Sequence, residues 1–314
     1  MENARLFRQN QHVPAGTPTG RRVLLTGARG FVGREVRRSL LAHGWEVVAI
    51  SRNLRSDDAD RGVIQVAADL AEDGWQRWCG GCTAAIHLVG IIREDPRAGV
   101  TFERAHRQTT ERVIAACREI GVRRVVHMSA LGARQGAATP YHRTKWEGEE
   151  VVRASGLDWT IFRPSLIFGP GDGFTGTLAP LVRRLPLVPV LGDGTYRMQP
   201  IALAEVVHCF VAALDDPTTI KQTYQLGGPE ALSYDEVIRR IARALGLRRT
   251  LVHIPLGLAR LLVSAIQRFP GAPITRDQLT MLLEGSTCDT RTAVLTFDVP
   301  RARFDGLEWL RGKA

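Results

Sequence analysis

A tyrosine and a lysine stand four residues apart in the segment ATPYHRTKWEGEE (138–150), at Tyr141 and Lys145. Of the chain's 42 basic residues, Lys145, Lys221 and Lys313 are lysine and the rest are arginine, so composition does not account for an ammonium at position 145. On a helix, a spacing of four puts both side chains on one face. A phenol, with a free pKa of about 10, is a poor acid–base group at neutral pH until a nearby cation stabilises its anion. Lysine suits that task because its head is a compact charge with three rotatable donors, able to steady a phenolate while gripping other hydroxyls. Ser129, in HMSALG, lies upstream and can hydrogen-bond a carbonyl oxygen while Tyr141 delivers a proton. The chemistry these three residue types describe is acid–base catalysis at a carbonyl or alcohol.

The trio works only if the fold sets it beside a bound reactant. From Arg22 onward, short apolar runs alternate with longer helical periods. RVLLTG, WEVVAIS, GVIQVAADL, TAAIHLVG, RRVVHMSA and LDWTIFRPSLIFG read in turn as strands. FVGREVRRSLLAHG, a stretch from about Val100 to Ile120, and YHRTKWEGEEVVRAS read as helices. Strands that are apolar throughout and alternate with helices specify an α/β protein, with a doubly wound parallel sheet covered on both faces, the Rossmann fold. Ser129 then ends strand five, and Tyr141 and Lys145 begin the helix that follows it. Residues 1–20 read as a disordered leader, 21–168 and 201–227 as a nucleotide-binding domain, and 169–200 with 228–314 as a smaller, mostly helical lobe for substrate or partner. That lobe carries no recognisable specificity motif; Arg197, Asp172 and Tyr196 could face a ligand or bulk water.

LLTGARGFVGREV places three glycines between the first strand and its helix. Gly27 permits a tight turn, Gly30 lets backbone approach a pyrophosphate, and Gly33 allows close helix–strand packing. The helix N-terminus adds free N–H groups and a partial positive charge. Gly27, Arg29, Gly30, Phe31, Val32 and Gly33 are therefore candidate dinucleotide contacts. The second strand ends AISRN, with Ser51 and Arg52 where NAD binders usually place a carboxylate for the ribose 2′-OH. An arginine there, with Arg29 and Arg55 nearby, binds a 2′-phosphate bidentately, which favours NADP(H) and leaves NAD(H) as the alternative. AADL adds Asp69 and Leu70, where the carboxylate either accepts the adenine amino group or caps a helix. HLVG adds Leu88, Val89 and Gly90 at the end of strand four.

These residues resemble the extended short-chain dehydrogenase/reductase superfamily, which includes sugar-nucleotide epimerases and dehydratases. The resemblance runs over about 21–230, with TGxxGxxG at 26–33 and Ser129, Tyr141 and Lys145 matching the catalytic trio. FRPSLIFGPGD resembles the loop that covers the nicotinamide, which implies cofactor contacts at Pro164 and Ile167. A narrower resemblance is carried by HLVGIIRED, FERAHRQTTERVIAACREIGVRRVVHMSALGA, YHRTKWEGEEVVRASGLDWTIFRPSLIFGPGDGF and PITRDQLTML. It points to the branch named for the nucleotide-binding accessory subunit of respiratory complex I. That branch implies NADPH held as a structural ligand beside a membrane complex. The intact trio implies instead an NADP(H)-dependent reductase or dehydrogenase of a small carbonyl or alcohol, quinones included. Nucleotide-sugar epimerase or dehydratase chemistry is a second alternative, weakened because HLVGIIRED replaces the alanine-rich ending of strand four.

Composition bounds the rest. Hydrophobic residues make up 44% and charged residues 24%, the balance of a soluble globular protein. IPLGLARLLVSAIQRF (254–269) is interrupted by Arg260 and falls short of the ~20 apolar residues of a span, so it reads as a buried or interfacial helix. The expected location is cytoplasmic, with peripheral contact at the inner face of a membrane implied by the narrower resemblance, and pairing of two copies through sheet-flanking helices is open. A net charge of +10 attracts phosphates, but the arginines are scattered in pairs without a focused stripe, which argues against nucleic acid as the partner. An odd cysteine count without a secretory signal argues against a disulfide framework. The CxxC at Cys79 and Cys82 lacks a second pair of metal ligands and precedes a strand instead of opening a helix, so neither zinc nor redox chemistry is expected there.

Overall fold

The structure is a computed structural model, described here over residues 20–52, 62–267 and 272–312. The leader up to position 19 and Arg55 lie outside the described residues.

The apolar runs form a seven-stranded sheet of β1 (Arg22–Thr26), β2 (Glu46–Ser51), β3 (Val63–Ala67), β4 (Ala84–His87), β5 (Arg124–Met128), β6 (Asp158–Pro164) and β11 (Gln222–Leu226). Its order is β11-β6-β5-β4-β1-β2-β3, and every pairing is parallel. Successive side chains of β1 face opposite ways: Val23 and Leu25 join one buried cluster and Leu24 the other, each at 0% exposure. Both faces are thus covered, which is why the strands are apolar throughout, and the expected doubly wound α/β architecture is present. The strand order reverses between β1 and β4, and the crevice at the strands' C-terminal ends there is the ligand position of such sheets.

Helix α1 (Phe31–Ala42) follows β1 directly, and α2 (Thr109–Glu119) and α3 (Pro140–Arg153) flank β5. The start of α3 is set by sequence: the Thr139 hydroxyl accepts from the His142 N–H, and Pro140 occupies the first turn, where its missing donor costs nothing. The helix expected from about Val100 differs at its beginning. Residues Glu103–Gln108 form a π-helical turn ahead of α2, a widened winding common near functional sites. The sixth strand is also shorter than expected. It ends at Pro164, and Ile167–Phe168 forms a separate short strand, β7, paired with β10 (Ile201–Ala202). Proline has no N–H to extend the ladder, so it falls naturally at the break.

Beyond β7 come α4 (Gly173–Arg184), β8 (Leu187–Leu191), β9 (Arg197–Met198), α5 (Leu203–Asp215), β12 (Leu232–Ser233), α6 (Tyr234–Ala244), β13 (Thr250–Ile254), α7 (Leu256–Ile266), α8 (Arg276–Glu284) and α9 (Arg291–Phe297). Phe168, Leu178, Val188, Val237, Ile238 and Phe304 build a third buried cluster, separate from the two against the sheet.

Candidate active site

The glycine turn is shaped by what a side chain would strike. Gly27 has φ +74°, and a Cβ there would come 3.0 Å from the Leu88 carbonyl carbon. A Cβ on Gly33 would sit 2.1 Å from the Gly27 oxygen, an overlap that backbone cannot relieve. The Gly30 N–H closes the turn on the Gly27 carbonyl at 3.0 Å, and no side chain among the described residues caps α1, so its first N–H groups are left to face an anion. A cleft of about 370 Å³ opens beside this turn. Gly27, Arg29, Gly30, Ser51, Arg52, Asp69, Leu70, Leu88, Val89 and Gly90 all line it. These residues fit a dinucleotide: glycines at the pyrophosphate position, Arg52 at the second strand's end, and apolar walls beyond.

Other sequence candidates lie outside the lining. Val32 and Gly33 are buried in α1 against the sheet, and the Phe31 ring approaches Gly169. Pro164 is buried, its carbonyl accepting from the Leu131 N–H at 2.9 Å, and Ile167 is half-buried in β7. Asp69 is not a helix cap. It accepts from the Ala71 N–H at 2.9 Å and pairs with Arg104 at 2.9 Å across the cleft. Arg104 lies on the π-helical turn and was not legible as a site residue, because a helix of ordinary winding over 100–120 gives no reason to single it out.

Lys145 is 3% exposed, and its Nζ donates to the Met128 carbonyl at 3.0 Å. Gly90 makes room for it, since a Cβ there would stand 2.9 Å from Nζ. Burial lowers the ammonium's pKa to about 8 against the opposing pull of Glu149 one turn on. Glu149 is itself fully buried, held by Arg153 at 2.6 Å and Arg163 at 2.6 Å. The Tyr141 ring is half-buried, edge-on to Phe102, His106 and His142 with centroids 5.8, 5.4 and 5.2 Å away. Burial pushes its phenol up to about 12. The expectation from sequence was the opposite sign, a phenol made more acidic by its lysine. Desolvation of the ring is the cause of this rise in the ligand-free chain. Ser129 is 3% exposed at the end of β5, and its Oγ has no partner among the described residues. A buried hydroxyl costs free energy unless something accepts its hydrogen bond, and a substrate carbonyl oxygen would be such an acceptor.

Behind Lys145 lies a group of neutral histidines that the sequence reading did not single out. The Thr144 hydroxyl donates to the Pro140 carbonyl at 2.9 Å and lies 2.9 Å from His106 Nδ1, while His106 Nε2 lies 3.1 Å from both the N–H and the carbonyl of Ile91. The Thr110 hydroxyl donates to the His106 carbonyl, so it accepts from His87 Nε2 at 3.1 Å, while Thr26 donates to His87 Nδ1 at 2.6 Å. His127 stacks on His87 at 5.2 Å. Burial, followed by the Lys145 charge, lowers His87 to about 3 and His106 to about 2; His127 also falls well below its usual range, with burial again first. All three stay uncharged at neutral pH, so none competes with Lys145 as the cation of this wall. HLVG, FERAHRQ and HMSALG each carry one of these histidines, but they were read for other residues.

The residues left open in the smaller lobe have partners of their own. Asp172 caps α4 through the Thr175 N–H at 2.6 Å, the Tyr196 hydroxyl donates to the Leu191 carbonyl at 2.9 Å, and Arg197 donates to the Ala231 carbonyl at 2.7 Å. Cys79 and Cys82 are buried beneath the sheet, where desolvation pushes both thiols up to about 12.

A parallel sheet in this strand order, with a glycine turn at its switch point, defines a Rossmann-type dinucleotide-binding protein. The chain belongs to the NAD dependent epimerase/dehydratase family, whose pattern matches residues 23–227. It is 30% identical over 236 residues to the ceramide reductase of Caulobacter vibrioides, a match covering 74% of this chain and 73% of the relative. It is 29% identical to the mitochondrial NADH dehydrogenase [ubiquinone] 1 alpha subcomplex subunit 9 of Arabidopsis thaliana, across 67% of this chain. That match spans 54% of the Arabidopsis protein, so the chain corresponds to about half of this relative's length. Among solved structures, MoeE5 in complex with UDP-glucuronic acid and NAD aligns with a TM-score of 0.72 and 23% identity over 93% of this chain and 99% of its own. DesIV, a dTDP-glucose 4,6-dehydratase from Streptomyces venezuelae with NAD bound, aligns at 0.74 and 20% identity over 93% and 97%. At such identities these two structures speak for the fold alone. Among the described residues no helix is long and apolar enough to cross a membrane.

Proposed function

We propose that the chain is an NADP(H)-dependent reductase or dehydrogenase of a small carbonyl or alcohol. The observation that carries this reading is Lys145: a buried lysine in an arginine-dominated chain, one turn from Tyr141 and seated against Gly90 of the cleft wall. When bound, the nicotinamide supplies or accepts hydride. Ser129 Oγ donates to the substrate carbonyl oxygen and fixes its direction. Tyr141 passes its hydroxyl proton to that oxygen in reduction and takes it back in oxidation. Lys145 holds positive charge beside the phenol, which stabilises the anion left after transfer. Arg52, at the end of β2, meets a 2′-phosphate with a planar fork that a carboxylate at this position would repel. The relatives named ceramide reductase and 2-alkyl-3-oxoalkanoate reductase support carbonyl reduction as the reaction class. Purified protein mixed with NADPH and a panel of aldehydes, ketones and quinones is expected to oxidise NADPH with at least one of them.

A second reading is favoured by the relatives named as subunits of NADH dehydrogenase and of NADH-ubiquinone oxidoreductase. On it, the same cleft holds nucleotide as a structural ligand within a larger assembly. NADPH binding without consumption across the whole panel would move the conclusion to this reading.

A further inference from the structure

Helix α7 turns most of its apolar surface outward. Ala259 and Val263 are its buried residues, whereas Leu258, Leu261, Leu262 and Ile266 are 49, 67, 39 and 41% exposed. These four recur at i, i+3, i+4 and i+8, so they form one stripe. The charge around them is one-sided. Between Glu236 and Asp277 the sequence has no carboxylate and eight arginines. Arg239, Arg240 and Arg243 are matched by Asp235, Glu230 and Glu236. Arg248, Arg260 and Arg276 are exposed and have no carboxylate partner among the described residues. Arg276 is held against the helix, its Nε donating to Ser264 Oγ at 2.6 Å.

An apolar protein partner would explain the leucines but not the lack of carboxylates, and a nucleic acid would explain the arginines but not the leucines. A bilayer with anionic headgroups satisfies both. At 11 residues, α7 is about 16 Å long, suited to lying in the headgroup boundary and far short of crossing it.

We infer that α7 docks the chain on the surface of an anionic phospholipid bilayer, with the leucine stripe at the acyl boundary and Arg260 and Arg276 at headgroup phosphates. The elements beyond α7 reach the catalytic wall. Arg93, in the loop after β4, donates to the Ala272 carbonyl at 2.7 Å, and Glu284 of α8 pairs with Arg134 at 3.2 Å and lies 3.7 Å from His142, the neighbour of Tyr141. The surface is distinct from the nucleotide cleft, so its test is independent of whether the site turns over.

The test is co-sedimentation of the full chain with vesicles of phosphatidylcholine containing about 30% phosphatidylglycerol, against vesicles of phosphatidylcholine alone. Binding to the anionic vesicles is expected to be at least about tenfold stronger and to weaken steeply with salt. The double variant Leu258→Glu, Leu261→Glu changes two exposed positions, so it should keep its far-UV circular dichroism and lose binding about tenfold or more. Arg260→Glu, which leaves the stripe intact, should lose part of the binding through charge alone. The inference is overturned if the wild-type chain does not sediment with anionic vesicles, or if the folded double variant binds as well as wild type. It is also overturned if light scattering shows a dimer that the leucine substitutions convert to a monomer without any vesicle binding, since the stripe is then a contact between copies.

Discussion

Tyr141→Phe is expected to lower kcat for carbonyl reduction by about 10²- to 10⁴-fold while leaving NADPH affinity within about twofold, because it removes one proton donor and little else. The ring is held by edge contacts to Phe102, His106 and His142, all of which phenylalanine can reproduce. With burial holding the phenol near 12, Tyr141 enters the reaction protonated at neutral pH, the form needed to donate. Lys145, lowered to about 8, is cationic below that pH and neutral above it. The anion formed on Tyr141 is stabilised only while the lysine carries charge, so kcat/KM for reduction should decline on the alkaline side of about pH 8. Lys145→Met should remove that decline along with most of the activity. Steady-state kinetics from pH 6 to pH 10 check both points. Turnover by Tyr141→Phe within twofold of wild type would mean that the proton comes from elsewhere.

Alanine at Gly33 is expected to destabilise the fold by about 3 kcal/mol or more. Its Cβ would meet the Gly27 oxygen at 2.1 Å and Ala28 backbone atoms at 2.9 Å, and neither belongs to a flexible side chain. The helix would have to lift off β1, widening the turn that faces the cleft. A Cβ on Gly173, at the start of α4, meets nothing within 4 Å, so Gly173→Ala is the matched control and should change stability by less than about 1 kcal/mol. Denaturant unfolding of the two variants separates these outcomes. Equal stability would contradict the close packing of α1 on the glycine turn.

Much of this protein was legible before any coordinates. The sheet strands announced themselves because burial on both faces leaves no room for polar alternation, and RVLLTG to RRVVHMSA fall where β1 to β5 lie. The glycine turn was legible because its spacing answers to close backbone approaches that leave no room for a side chain at Gly33. Local winding was not legible: nothing in FERAHRQ marks a π turn, and that turn brings His106 against Ile91 and Arg104 to Asp69. The break after Pro164 was missed because the apolar run continues through Leu166, Ile167 and Phe168, of which Leu166 and Phe168 pack in the third cluster. The tyrosine–lysine spacing was readable, but the direction of the phenol's shift was not, since it depends on how far the packed structure desolvates the ring. The apolar helix at 256–266 was visible as a segment, while which of its leucines face outward required the packed structure.

The central claim is that the cleft beside Gly27 and Gly30 holds a reduced pyridine dinucleotide, with Arg52 at its 2′ position. Fluorescence titration of the wild-type chain and Arg52→Asp with NADPH and NADH tests it most directly. The account predicts saturable binding of one nucleotide per chain, with NADPH at least about tenfold tighter than NADH in the wild type and that order lost or reversed in Arg52→Asp. Failure of the folded wild-type protein to bind either nucleotide would contradict the account; identical affinities in both proteins would contradict the place given to Arg52.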